Sequence, residues 1–244
     1  SASGIADSTR FFSAWSAAKF GAIAGFAQSA FSKVASVISE NVGGAITRAD
    51  TMNNFPKVMK NLGYNANDAA AAIKKISDSL DGLPTTTSSM VSMVQQLAPL
   101  TSSLGEATDI ALAFNNALLA GGGNTVEQEN ALTQFTQMLA AGKVDAAAWR
   151  SVVNAMPGPM NQLAQSLLGA DKKQQDLYNA MKSGTVTFDQ FNKAVVKLNK
   201  DGYGQYASFA QQAKDATQGI GTAIQNLGSR IQKNIEKVLE ALGV

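Results

Sequence analysis

Histidine and cysteine are both missing from this chain, and their absence removes more chemistry than the remaining residues supply. Without Cys there is no disulfide framework, no thiolate nucleophile and no thiolate zinc site. Without His the usual general base near neutral pH is gone, along with the commonest metal ligand. Ser-His-Asp triads, Cys-His pairs and HExxH zinc helices are excluded. Only carboxylates, Lys, Tyr, Ser and Thr remain for catalysis. The expectation is a protein that is not an enzyme and carries no catalytic residue, cofactor or metal.

Charge is scarce too. Charged residues make up 16% of the chain, against roughly 25% in ordinary globular proteins. The 20 basic and 18 acidic residues leave a net charge of +2, and no run of Lys or Arg marks a basic face, so no specific nucleic-acid binding is expected. The surface must be built largely from Ala, Ser, Thr, Asn and Gln. Such a surface repels its own copies weakly, which suits packing inside an assembly and equally suits a plain polar domain.

Long apolar runs are absent as well. The stretch at residues 20 to 32 carries no charge for 13 residues before Lys33 interrupts it. A spanning helix needs about 20 apolar residues, so this one does not cross a bilayer alone. Gly21 and Gly25 make a G-x-x-x-G step that lets helices approach closely. Phe20, Ile23, Phe26 and Phe31 fit a membrane interface, or a docked contact with the rest of the chain or another copy. Both alternatives stand for residues 20 to 39. The chain begins at Ser1 without Met or a signal sequence and ends in a helical pattern still running, "KNIEKVLEALGV". A piece of a longer protein is expected.

What is present is helical periodicity, with no strand-like alternation. Ile73, Ile76 and Leu80 share a face before the turn "DGLP" at 81 to 84. Met90, Val94 and Leu97 follow, and Pro99 ends that helix. Ser103 and Glu106 form an S-x-x-E capping box. The helix it opens has an apolar face of Leu104, Ala107, Ile110, Ala111, Phe114 and Leu118, stopped by "GGG" at 121 to 123. Asn124 with Glu127 caps the next, lined by Leu132, Phe135, Met138 and Leu139. "MPGPMNQLAQSLLG" adds a turn and a short helix through Met160, Leu163 and Leu167.

One phrase occurs twice. "GKVDAAAW" from Gly142 and "GTVTFDQF" from Gly184 share Gly first, Val third, a capping residue fourth and an aromatic eighth, 42 residues apart. Gly142 and Gly184 stand where a helix ends on a left-handed residue. Asp145 and Thr187 then cap the next helix, Thr187 with Gln190 completing a T-x-x-Q box. Val144 and Val186 precede the caps, placed to staple onto Trp149 and, less directly, Phe191. Two similar helix-turn-helix corners are expected, whether from an internal repeat or from chance recurrence of good capping grammar.

The C-terminal residues show a different pattern. Phe209, Ala213, Ala216, Ile220, Ala223, Leu227, Ile231, Ile235, Val238 and Leu242 are spaced three or four apart, close to a heptad seam with one break. A continuous helix over 209 to 242 would extend about 50 Å at 1.5 Å per residue. Gly219, Gly221 and Gly228 each weaken it by roughly 1 kcal/mol relative to Ala, so it calls for a partner. Leu227, Ile231, Ile235 and Leu242 are the candidate self-association residues; a second copy and this chain's own bundle both fit as the partner.

The acidic pairs are unconvincing as catalysts. Glu127 and Glu129 do not share a helical face. Glu106 and Asp109 do, but like the others they sit in a first turn, where the helix dipole favours carboxylates. "TVTFDQF" faintly resembles the exit of a calcium loop but lacks the D-x-[DN]-x-[DN]-G core. "GGGN" has no G-K-[ST] after it and reads as a helix break.

An ordered set of segments carries a family resemblance. "RADTMNNFPKVMKNLGY" at 48 to 64, "LDGLPT" at 80 to 85, "SMVQQLAPL" at 92 to 100, "TQMLAAGKVDAAAWRSVVNAMPG" at 136 to 158, and "YNAMKSGTVTFDQFNKAV" at 178 to 195 resemble the tape measure domain of phage tail tape measure proteins. "ATQGIGTAIQNL" at 216 to 227 is similar to that family's exit into its long helical region.

The fold class expected from periodicity is all-α: a compact bundle of many short helices over residues 46–200. It is flanked by an apolar Gly/Ala-rich helical segment at 1–45 and a longer C-terminal helix at 201–244. The resemblance implies a structural protein of a siphovirus-type or prophage tail. It would set tail length during assembly and assist genome ejection across the host envelope. Implied partners are tail tube and tail-tip proteins, further copies of the chain, and a host membrane on ejection. The implied location is the virion tail lumen after synthesis in the host cytoplasm. The alternative is a membrane-active helical protein inserting through residues 20–39.

Overall fold

The computed structural model describes residues 59 to 217, apart from 81, 86, 123 and 124. Over these residues the fold is all-α, as the periodicity requires. After a helical end at 59 to 62 come α1 (Ala66–Ser79), α2 (Thr87–Leu97), a 3-10 turn (Ala98–Leu100), α3 (Leu104–Gly121), α4 (Thr125–Ala141) and α5 (Ala146–Ala155). They are followed by α6 (Pro157–Leu168), α7 (Gln174–Lys182), α8 (Phe188–Asp201) and α9 (Phe209–Ala216). The only extended pairing among the described residues is an isolated bridge between Tyr203 and Tyr206. Contacts divide these residues into two compact units, 59 to 111 and 112 to 217.

In the first unit, α1 starts at Asn65, whose side chain accepts from the Asp68 amide at 2.8 Å. Ile73, Ile76 and Leu80 are buried as their spacing requires, and α1 packs on α2, which buries Met90, Val94 and Leu97. Pro99 sits in the 3-10 turn that ends α2, since it has no amide to continue the ladder. Tyr64 reaches across to donate to the Ala98 carbonyl at 3.3 Å. Burial, and then the Glu106 and Asp68 carboxylates, hold its phenol above the ordinary value of 10.0.

Helix α3 begins at the expected place, with a different box. The Ser103 hydroxyl accepts from the Glu106 amide at 3.1 Å. The Glu106 carboxylate passes over Ser103 and takes the Ser102 amide at 2.9 Å, together with the Ser102 hydroxyl. The expected one-sided apolar face is also too narrow. Residues 110 to 119 are all buried, including Leu112, Ala113, Ala117 and Leu119. A helix apolar all round is a core helix, and here even Asn115 and Asn116 are buried.

In the second unit, α4 lies along α5, α6 contacts α5, α7 and α8, and α8 contacts α9. An aromatic chain runs through its core. Phe114 stacks on Phe135 at 4.5 Å between centroids, Phe135 meets Phe191 at 5.7 Å, Phe191 meets Trp149 at 6.2 Å, and Trp149 meets Tyr178 at 5.9 Å. These rings come from α3, α4, α8, α5 and α7. Each such pair adds about 0.5–1.5 kcal/mol beyond its buried area, so five helices share one set of contacts.

Candidate functional site

The twice-used phrase builds the joints of the second unit. Gly142 and Gly184 have φ of 70° and 78°, the left-handed region that Gly enters without a Cβ penalty. Asp145 accepts from the Ala148 amide at 2.9 Å. Thr187 and Gln190 cap each other reciprocally, at 3.2 Å for the Gln190 amide on the Thr187 hydroxyl and 2.9 Å for the Thr187 amide on the Gln190 side chain. The two aromatics of the phrase, Trp149 and Phe191, are buried against one another. Spacing within each phrase reads as two separate corners; the fold turns them inward onto each other.

The corners are alike in caps but not in how their helices run. After α4 the chain makes a full Schellman pair, Gly142 N–H to the Leu139 carbonyl at 3.2 Å and Lys143 N–H to the Met138 carbonyl at 3.3 Å. After α7 the first bond recurs, Gly184 to Met181 at 3.2 Å, but the Ala180 carbonyl is taken by the Val186 amide at 3.1 Å and the Ser183 hydroxyl at 3.0 Å. Accordingly α4 lies along α5, while α7 packs on α6 and α8 turns to α6 and α9. Val186 is buried and Val144 only half-buried, so the staple positions differ as well. One phrase fixes where helices end and begin; it does not set one interhelical angle.

The candidate carboxylates among the described residues lie at the surface or cap helices. Asp109 pairs with Lys75, and Glu106 holds the start of α3. Asp189, in the stretch that resembles a calcium-loop exit, bonds Lys193 at 2.8 Å. Glu127 and Glu129 are exposed near the start of α4. Among the described residues, no three His, Cys, Asp or Glu side chains group as a metal would require. "GGG" ends α3 at Gly121, with Gly122 at φ 74°.

Phe20, Gly21, Ile23, Gly25, Phe26, Phe31, Leu227, Ile231, Ile235, Leu242 and the Asn124 cap lie outside the described residues. Among the described residues no helix is long and apolar enough to cross a membrane.

The start of the C-terminal pattern is placed. Phe209 and Ala213 are buried, Ala216 is exposed and Thr217 is buried. Sequence reasoning missed what ties α9 down. Gln162 of α6 and Gln212 of α9 exchange amide hydrogen bonds, the Gln212 Nε2 donating at 2.9 Å and the Gln162 Nε2 returning at 3.4 Å. Two Gln residues 50 positions apart carry no local pattern that would announce them.

A family model described as tape measure protein matches residues 43–240. Comparisons with curated proteins and with solved structures return no match. The family match takes in most of the chain, both helical units and the whole of the repeated phrase. The chain belongs to the tape measure protein family, and is a structural component of phage tails.

Proposed function

We propose that this chain contributes to setting tail length, as the folded body of a ruler and the beginning of its helical extension. Residues 46–200 carry the body, residues 201–244 lead into the ruler region, and residues 1–45 supply an apolar contact element. One observation carries the proposal: the apolar spacing of α9 continues in the sequence to Leu242, inside and just beyond the family match. A continuous helix converts residue number into length at 1.5 Å each. Tail tube subunits would polymerise around the extension, with tail-tip proteins and further copies of the chain as the other neighbours in the tail lumen. The work is mechanical, and the low-charge surface suits close packing.

The test uses phage carrying the whole protein. Four added copies of "IQKNIEK" from residues 231 to 237 preserve the three-and-four spacing and insert no Gly. They should lengthen tails by about 42 Å in electron micrographs. Tails of unchanged length, with virions otherwise intact, would refute the ruler.

Genome ejection across the host envelope is the second part of the proposal, supported by the apolar residues 20 to 39. The full chain should bind and permeabilise liposomes, and Phe26→Asp should abolish leakage while leaving the circular dichroism spectrum intact. Absence of binding at any pH would overturn this part alone.

A further inference from the structure

The last described helix, like α7, buries only two of its side chains. α9 has eight residues and buries Phe209 and Ala213, whereas α8 buries Phe191, Asn192, Ala194, Val195 and Leu198. A helix this short is not stable alone in water, so its contacts hold it helical. Among the described residues those contacts include its packing on α8 and the Gln162–Gln212 amide pair. Two further bonds lie within residues 208 to 217 and travel with α9 if it moves: Ser208 caps the Gln211 amide at 3.1 Å, and the Thr217 hydroxyl bonds the Ala213 carbonyl at 2.8 Å. Gln212 also donates to the Ala207 carbonyl at 2.7 Å, one residue ahead of that segment.

The connection to α8 is a turn with its own closure. Tyr203 and Tyr206 exchange backbone bonds at 3.3 and 2.9 Å, and Gly202 and Gly204 have φ of 71° and 57°. A Cβ on Gly202 would stand 2.4 Å from the Tyr206 carbonyl oxygen. The turn is therefore tightly closed at the end of α8.

We propose that α9 is a releasable strap: residues 208 to 217 detach together from α6 and α8 while the rest of the 112–217 unit stays folded. Sub-global opening of this kind begins where few apolar side chains are buried. Phe209 and Ala213, which dock the strap, are also the first members of the spacing that runs on to Leu242. Docking and the C-terminal seam therefore compete for the same side chains. If the ruler proposal holds, on which this consequence rests, release lets the helical extension start ten residues earlier, about 15 Å closer to the body.

Amide hydrogen exchange on the full chain, followed by mass spectrometry in low urea, tests the strap. Amides of α9 should exchange at least about a hundredfold faster than the slowest amides of α5 and α8, with a shallower urea dependence. Gln212→Ala should speed α9 by a further five- to tenfold, or about that, and leave α5 and α8 unchanged. A common rate and urea slope for α8 and α9, or equal acceleration of both by Gln212→Ala, would overturn the strap and make α9 integral to the unit. This exchange pattern is independent of tail length. A failed insertion series with α9 opening alone would lose the ruler and keep the strap.

Discussion

Gly121→Ala separates two reasons for using glycine that are usually entangled. Gly121 is the last residue of α3 and does not have positive φ. On helix propensity alone, Ala there should stabilise by as much as about 1 kcal/mol. The surroundings reverse the sign. A Cβ on Gly121 would stand 2.3 Å from the Ala155 carbonyl oxygen and 2.7 Å from the Met156 Cα, at the joint between α5 and α6. Ordinary contact begins near roughly 3.5 Å, so the end of α3 and that joint must part by about 1 Å. Both obstructing atoms are backbone, and Met156 is fully buried, so no flexible side chain can absorb the shift. Overpacking of this kind costs about 1–3 kcal/mol. With two backbone atoms obstructing, the upper end applies, about 3 kcal/mol less the propensity gain of about 1, so the expected net loss is about 2 kcal/mol.

Gly142→Ala is the control. Its φ is 70°, and an added Cβ would meet nothing within 4 Å. The loss there is the left-handed penalty alone, about 1 kcal/mol. Both variants are compared by urea unfolding, monitored through Trp149 in a Trp15→Phe background because the chain has two Trp. The midpoint should fall further for Gly121→Ala, with an unchanged slope. If Gly121→Ala is neutral or stabilising, the close approach of α3 to the α5–α6 joint is wrong.

Asp145→Ala and Thr187→Ala each remove a cap and should each cost about 1 kcal/mol in the same assay; a loss below a few tenths would mean that solvent serves those amides equally well. The raised Tyr64 pKa favours the protonated phenol in the folded state. Its contribution to stability is therefore complete below about pH 10, the unfolded value, and declines as pH rises through the higher folded value. Tyr64→Phe should flatten that alkaline decline, and a phenol titration at 295 nm with no late component would contradict it. Leu227→Asp and Ile231→Asp should reduce self-association in sedimentation experiments if the C-terminal seam joins copies. Unchanged sedimentation would turn the seam toward its own chain.

The division between what the residues announce and what they conceal follows the range of the interactions. Asp145 and the Thr187–Gln190 box satisfy amides within three positions, and Gly142 and Gly184 end helices through bonds of three to five positions. Everything needed for those features is in the phrase itself. The meeting of Trp149 with Phe191, the all-round burial of residues 110 to 119, and the Gln162–Gln212 pair depend on residues tens of positions apart, for which a single chain offers no periodic signal. Ser183 shows how small the intermediate signal is. Its hydroxyl takes the Ala180 carbonyl at 3.0 Å and meets the Thr185 hydroxyl at 2.9 Å; at the first corner Ala141 has no hydroxyl to do so. At the second corner the Val186 amide takes the carbonyl that at the first corner completes the Schellman pair, so similar phrases leave their helices along different paths. For a protein whose proposed work is span and fit, those paths matter more than the caps that announce them.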